Sequence, residues 1–222
     1  MARRNGAIAW RRPCGRAHHM DDDLPQSTDF LTLRITPYQD HALILAGIAP
    51  QLGRMAFFVR RPSSGSRRNF ACVDLFRLVN VSWRKGNGEL CYASQMQDVA
   101  DYSALARDPS AYLAACDLAR FALANVLPNS AMPEFFRALQ VGLIRLRDGR
   151  LPADAIRTCV GLAFLKEGGW LCASALDRTS AAQCELLLRM AQGGDIPALT
   201  SENWSQLWNW TMAQLAAAEC II

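Results

Sequence analysis

Histidine is scarce in this chain. There are three, His18, His19 and His41, and two of them fall within the first 20 residues. The motifs that catalysis usually needs are missing too: no H-E-x-x-H, no G-x-S-x-G, no Walker A loop and no G-x-G-x-x-G. "KGNGEL" (85–90) has two glycines, but it leads into a strand-like run rather than a helix, so it is not a phosphate loop. A lone His41 is a poor basis for proton transfer. The chain therefore reads as a non-enzyme, with no catalytic residues and no cofactor.

Paired cysteines are lacking as well. The eight cysteines stand at 14, 72, 91, 116, 159, 172, 184 and 220, and no two have C-x-x-C spacing. The signature of a zinc ribbon is absent and no metal site is expected. Nothing resembles a secretory signal, so these read as reduced thiols, most of them within apolar stretches. No apolar run reaches the length of about 18 residues that spans a membrane. The tryptophan-rich segment around Trp204, Trp208 and Trp210 has only Glu202 and Glu219 as charges and no cation, which argues against a membrane-surface helix.

Acids are absent from residues 1–20, where Arg3, Arg4, Arg11, Arg12 and Arg16 lie. The chain's net charge is +4, so this leader accounts for all of it and the rest is close to neutral. The leader has no hydrophobic periodicity. It is Arg-rich like a transit segment but lacks the serines and the amphipathic face. The sharp composition change at "HHMDDDLPQ" makes Met20 the expected start, with the preceding residues an over-extended gene model or a disordered tail.

What is present is an ordinary globular body. A chain of 222 residues with 51% hydrophobic and 20% charged residues is long enough to bury a proper core. Its first half reads as strands: "FLTLRIT" (30–36), "HALILAGIA" (41–49), "RMAFFVRR" (54–61), "ACVDLFRLVNVSW" (71–83) and "ELCYASQMQD" (89–98), separated by "PYQD", "PQLG", "PSSGS" and "RKGNG". In the fourth run Val73, Leu75, Val79, Val81 and Trp83 form one face, while Phe76 and Leu78 spoil the polar alternation opposite. Five short strands joined mostly by turns suit a small closed barrel.

The second half changes period. Tyr112, Cys116, Ala119, Leu123 and Val126 recur at helical spacing, as do Phe136, Leu139, Leu143 and Leu146, and then Ile156, Val160 and Phe164. Pro133 and Pro152 open helices, and Gly149 and Gly168-Gly169 close them. Ser180 with Gln183 reads as a capping box for a fourth helix ending at Gly193-Gly194. Thr200-Ser201-Glu202 opens a fifth, with Trp204, Leu207, Trp208, Thr211 and Leu215 on one face. The fold class is α+β: a five-stranded barrel, then an all-α part.

One charge anomaly stands out. Residues 54–85 hold Arg54, Arg60, Arg61, Arg67, Arg68, Arg77, Arg84 and Lys85 against a single acid, Asp74. Solvated faces usually mix signs. A basic patch beside aromatic residues on a barrel is a general recipe for nucleic acid: cations track phosphates and rings stack on bases. The candidate stackers are Phe57 or Phe58, Phe70 and Trp83, with core packing the competing fate of each.

The order of these features resembles the RecO family of bacterial recombination mediators. The matching stretches are "RITPYQDHALI" (34–44), "LGRMAFFVRRPSSGSRR" (52–68), "CVDLFRLVNVSWRKGNGEL" (72–90), "QMQDVADYSALARD" (95–108) and "DLARFALANVLPNSAMPEFFRALQVGLIRL" (117–146). Two departures stand beside the resemblance. Arg61 sits where the family usually has glycine, and its four-cysteine zinc module is missing: "FLKEGGWLCASALDRTSAAQ" contains only Cys172, with Cys184 following. The resemblance implies an OB-fold over 28–100 and a helical domain over 101–222, after the 1–27 leader. It implies a cytoplasmic, nucleoid-associated protein of DNA repair that binds single- and double-stranded DNA and anneals strands. Its implied partners are RecR and single-strand-binding protein, with RecA loaded indirectly. The expected DNA-binding residues are Arg54, Arg60, Arg61, Arg67, Arg68, Arg84 and Lys85, with Phe58 and Phe70 as base stackers. The competing class is a non-catalytic interaction scaffold whose arginines meet an acidic protein surface without touching DNA.

The leader has a direct test. A chain beginning at Met20 is expected to melt at the same temperature as the full chain, measured by differential scanning calorimetry. A drop in melting temperature would show that the leader packs against the body.

Overall fold

The computed structural model describes residues 26–39, 42–60, 73–86, 90–171 and 178–221. The basic leader, His41, Arg61, Arg67, Arg68, Phe70, Cys14, Cys72 and Cys172 lie outside the described residues.

Five strands form a closed barrel: β1 (Gln26–Tyr38), β2 (Ala42–Ala49), β3 (Gly53–Arg60), β4 (Arg77–Lys85) and β5 (Leu90–Asp101), in the order β1-β2-β3-β5-β4. The first strand begins two residues before the expected domain boundary at 28. It is long enough to serve two neighbours. Residues 26–31 pair with β4 and residues 31–38 with β2, and the register shifts between Thr32 and Arg34. Closure comes from one short parallel contact, Ala56–Leu90, Phe57–Cys91 and Phe58–Tyr92. Inside lie Phe30, Leu45, Phe57, Val59, Val81 and Met96. Phe57 meets Phe30 and Trp83 edge-to-face at 4.8 and 6.1 Å.

The strand expected over 71–83 begins only at Arg77. Phe76 precedes it with φ 58°, a left-handed conformation uncommon for a bulky residue. The surroundings hold it there. Its N–H donates to Thr32 O at 2.9 Å, its carbonyl accepts from Tyr102 N at 3.1 Å, and its ring meets Tyr112 edge-on at 5.9 Å. The spoiled alternation in this run has a packing cause. Val79, Val81 and Trp83 fill the barrel, while Phe76 and Leu78 join Leu31, Leu33 and Ile48 beneath the helices.

After a 3-10 turn (Ser103–Arg107) come α1 (Pro109–Asn125), α2 (Pro133–Asp148), α3 (Ala153–Glu167), α4 (Arg178–Ala191) and α5 (Ser201–Ala217). None of these helices is long and apolar enough to cross a membrane. The central helix is α3, buried continuously from Thr158 to Leu165 with α2, α4 and α5 around it. The buried face of α1 differs from the expected one. Ala111, Ala114, Ala115, Leu118, Ala119 and Ala122 face inward, while Tyr112, Cys116 and Leu123 lie at its margins. Small side chains let α1 sit close to both the barrel and the bundle.

The caps follow the sequence except at α4. Asp108 accepts from Ser110 N at 2.8 Å, Gly149 closes α2 with φ 64°, and Thr200 and Asn203 form a capping box for α5. Ser180, by contrast, lies inside α4 rather than capping it. Nor does the residue before α2 cap that helix. Glu167, from the end of α3, accepts from the N–H groups of Glu134 and Phe135 at 3.1 and 2.7 Å. A carboxylate at a helix N-terminus satisfies orphan donors and complements the dipole.

Barrel and bundle are stitched at one seam. Asn129 N donates to Leu52 O, Met132 N to Pro50 O and Arg54 N to Leu127 O, at 2.8, 2.9 and 3.2 Å. Gly53 lies at the centre with φ 66°, and a Cβ there would collide with the carbonyl oxygens of Leu127 and Ser130. Gly53→Ala adds left-handed strain and a clash, and is expected to cost about 2–4 kcal/mol. A urea melt reads this as a lower midpoint with an unchanged slope.

Candidate nucleic-acid interface

Strand register converts scattered residues into a continuous surface. Thr36 of β1 pairs with Ile44 of β2, Ile44 with Phe58 of β3, Phe58 with Tyr92 of β5, and Tyr92 with Arg84 of β4. One row thus crosses all five strands on the outer face. The next row contains Tyr38, Ala42 and Arg60. Phe57 and Val59 point into the barrel, so Phe58 and Arg60 point out.

The rings on this face touch one another. Tyr38 and Phe58 meet edge-on at 5.9 Å, and Phe58 and Tyr92 at 5.7 Å. Tyr38 is 45% exposed and Tyr92 51%. Phe58 is half-buried between them. Arg60 and Arg84, both exposed, stand beside this aromatic strip without ion-pair partners among the described residues.

The expected site residues divide accordingly. Arg60, Arg84 and Phe58 come together on the strip. Lys85 is exposed at the end of β4. Arg54 is half-buried at the seam, where its Nη1 donates to Leu123 O at 2.9 Å. Phe57 and Trp83 are core residues, not stackers, because alternation turns both inward. Arg77 leaves the basic patch. Its guanidinium bonds Asp98 at 3.1 Å and Asp101 at 2.9 Å. Asp101 is held below the usual carboxylate range, mainly by hydrogen bonds from Ser103 and secondarily by Arg77.

Tyr38 and Tyr92 were not among the expected stackers. Tyr38 precedes the basic stretch and Tyr92 follows it, and only strand register makes them Phe58's neighbours. Their signal was alternation: both fall on the exposed phase of their strands.

A second concavity, of about 640 Å³, lies where the barrel meets the seam. Arg34, Arg54 and Lys85 line it with Trp83, and among the described residues no Asp or Glu does. Cys91 is in the same wall, and burial raises its pKa, so it is uncharged at neutral pH. The crevice among α1, α3 and α5 is different: its Arg157 bonds Asp117 at 2.6 Å, so the cation is already neutralised.

No family model and no curated protein matches the chain.

Other chemistry has little footing among the described residues. No three His, Cys, Asp or Glu side chains converge as a metal site. The cysteines described, 91, 116, 159, 184 and 220, are free thiols. Burial pushes Cys159 up to about 12 and raises Cys184 and Cys220, leaving them protonated and poorly nucleophilic.

The aromatic strip has a distinguishing test. Tyr38→Ala and Tyr92→Ala each remove a ring but no cation. Each is expected to weaken binding of a single-stranded oligonucleotide by about 1–3 kcal/mol per base stack lost. Fluorescence anisotropy at several salt concentrations should show parallel lines, shifted but of unchanged slope.

Proposed function

We propose that this chain is a DNA-binding recombination mediator of the RecO type, working without an active site of its own. In this reading the barrel is an OB-fold. The strand order β1-β2-β3-β5-β4 and the closure between β3 and β5 support that identification. The observation that supports the function most directly is the in-register strip of Tyr38, Phe58 and Tyr92 with Arg60 and Arg84 at its edge. Rings offer stacking faces to any base, and the arginines offer charge to phosphates. Such a surface holds a strand without reading its sequence, as annealing requires.

The order of segments from residue 34 to 146 supplies the rest of the reading. The protein anneals complementary strands and acts with RecR to load RecA onto DNA coated by single-strand-binding protein. The segment with Arg61, Arg67 and Arg68, which lies outside the described residues, follows Arg60 directly in the chain.

The test is the salt dependence of binding. Arg60→Ala with Arg84→Ala is expected to flatten the slope of log K against log salt by roughly 1.4 on single strands, about 0.7 per lost phosphate contact. Affinity should fall by a similar factor for unrelated sequences, because phosphate contacts carry no base information. An unchanged slope and affinity in a folded double variant would favour the protein scaffold instead.

A further inference from the structure

The cleft at the seam differs in character from the strip. The strip is open and aromatic. The cleft is concave, large enough for a nucleotide-sized group, and lined by three cations among its described residues. Arg34 stands on β1, Lys85 ends β4, and Arg54 comes from β3. Neither Arg34 nor Lys85 has an ion-pair partner among the described residues. Arg54 commits only Nη1, to Leu123 O, which fixes the guanidinium and leaves its other donors for a ligand. Three cations around one concavity, with no carboxylate among its described lining residues, repel one another, and an anion seated among them offsets that repulsion.

The floor is compatible with more than a bare ion. Ala46 and Ala56 are small, Met55 and Leu52 are apolar, and Trp83 forms part of the wall. Trp83 is only 6% exposed, and its indole Nε1 has no hydrogen-bond partner among the described residues. Buried donors normally have acceptors. Nε1 exposes almost no surface, so it serves as a reporter in the wall of the cleft rather than as a contact for a ligand.

We propose that this cleft is a phosphate-holding subsite that takes one nucleotide unit, its phosphate seated among Arg34, Arg54 and Lys85 and its sugar or base against the half-buried Leu52, Met55 and Ala56. The proposal rests on the DNA-binding reading for its source of nucleotide. The chemistry recognised is the phosphate group, whether internal to a strand or at a strand's end.

The experiment uses the full chain labelled with nitrogen-15. The indole N–H signal of Trp83 is assigned by its absence in Trp83→Phe. The protein is titrated with an oligothymidine carrying a 5′-phosphate, with the same oligomer lacking it, and with thymidine monophosphate, while anisotropy follows oligomer binding in parallel. The expected result is a saturable shift of the Trp83 signal with the oligomers. Arg34→Gln with Lys85→Gln should abolish that shift while the rest of the spectrum stays dispersed as in the folded protein. A shift from both oligomers assigns the site to an internal phosphodiester, and a shift only with the 5′-phosphate assigns it to a strand end.

Two failures are distinguishable. If anisotropy shows DNA binding but Trp83 does not move, the subsite is wrong and the DNA-binding reading stands. If thymidine monophosphate moves Trp83 but no oligomer binds, the subsite stands and the DNA-binding reading falls. A shift undiminished in the double glutamine variant overturns the subsite in either case.

Discussion

The seam between the β2–β3 turn and the α1–α2 loop is the constraint on which the rest depends. Three backbone hydrogen bonds join segments about 80 residues apart, around a glycine whose missing Cβ is what allows the approach. Arg54 adds a fourth link from its side chain to the last turn of α1. Barrel and helices therefore share one continuous core, from Leu31 and Ile48 through Phe135 and Leu139 to Phe164 and Leu215. The orientation of β3 against α1 sets where the cleft opens and where the aromatic strip lies.

That shared core divides the barrel's surface into unlike regions. Near the helices, Phe30 and Val79 face the barrel interior while Leu31, Leu33 and Leu78 on the other phase join the helical core. Beyond the helices, the outer face returns to polar and aromatic residues. The barrel's described acids are segregated too. Asp98 and Asp101 are engaged with Arg77, and Asp29 accepts from Asn80 on the β1–β4 side. Arg60 and Arg84 are left beside Tyr38, Phe58 and Tyr92 with no ion-pair partner among the described residues. Electrostatic contrast thus follows from topology as much as from composition.

How much of this could be read in the sequence differs from element to element. The first three strands, the two helices opening at Pro133 and Pro152 and the Thr200 cap were legible, because turn residues and caps act locally. The start of β4 was not, since Phe76 adopts a conformation that only its tertiary hydrogen bonds sustain. Large residues at helical spacing pointed to one margin of the buried face of α1, because close packing between two layers favours alanine at its centre over Tyr112 and Leu123. The arginine run correctly singled out Arg60 and Arg84 as exposed cations, but counted Arg77 without seeing its partners some 20 residues on. Tyr38 and Tyr92 join the strip through pairings set by strand register, which no short window of sequence contains.

The same seam has a consequence for how the molecule meets other chains. A strand with unpaired backbone groups invites a foreign strand to add to it, and proteins cover such rims to avoid aggregation. Along the rim of β3, β5 pairs with Ala56 to Phe58, while the α1–α2 loop takes Gly53 and Arg54. Strand addition is thereby blocked along that side. Recognition there is left to side chains, and an interface built from side chains can be tightened, loosened or re-aimed by substitution without rewiring the barrel.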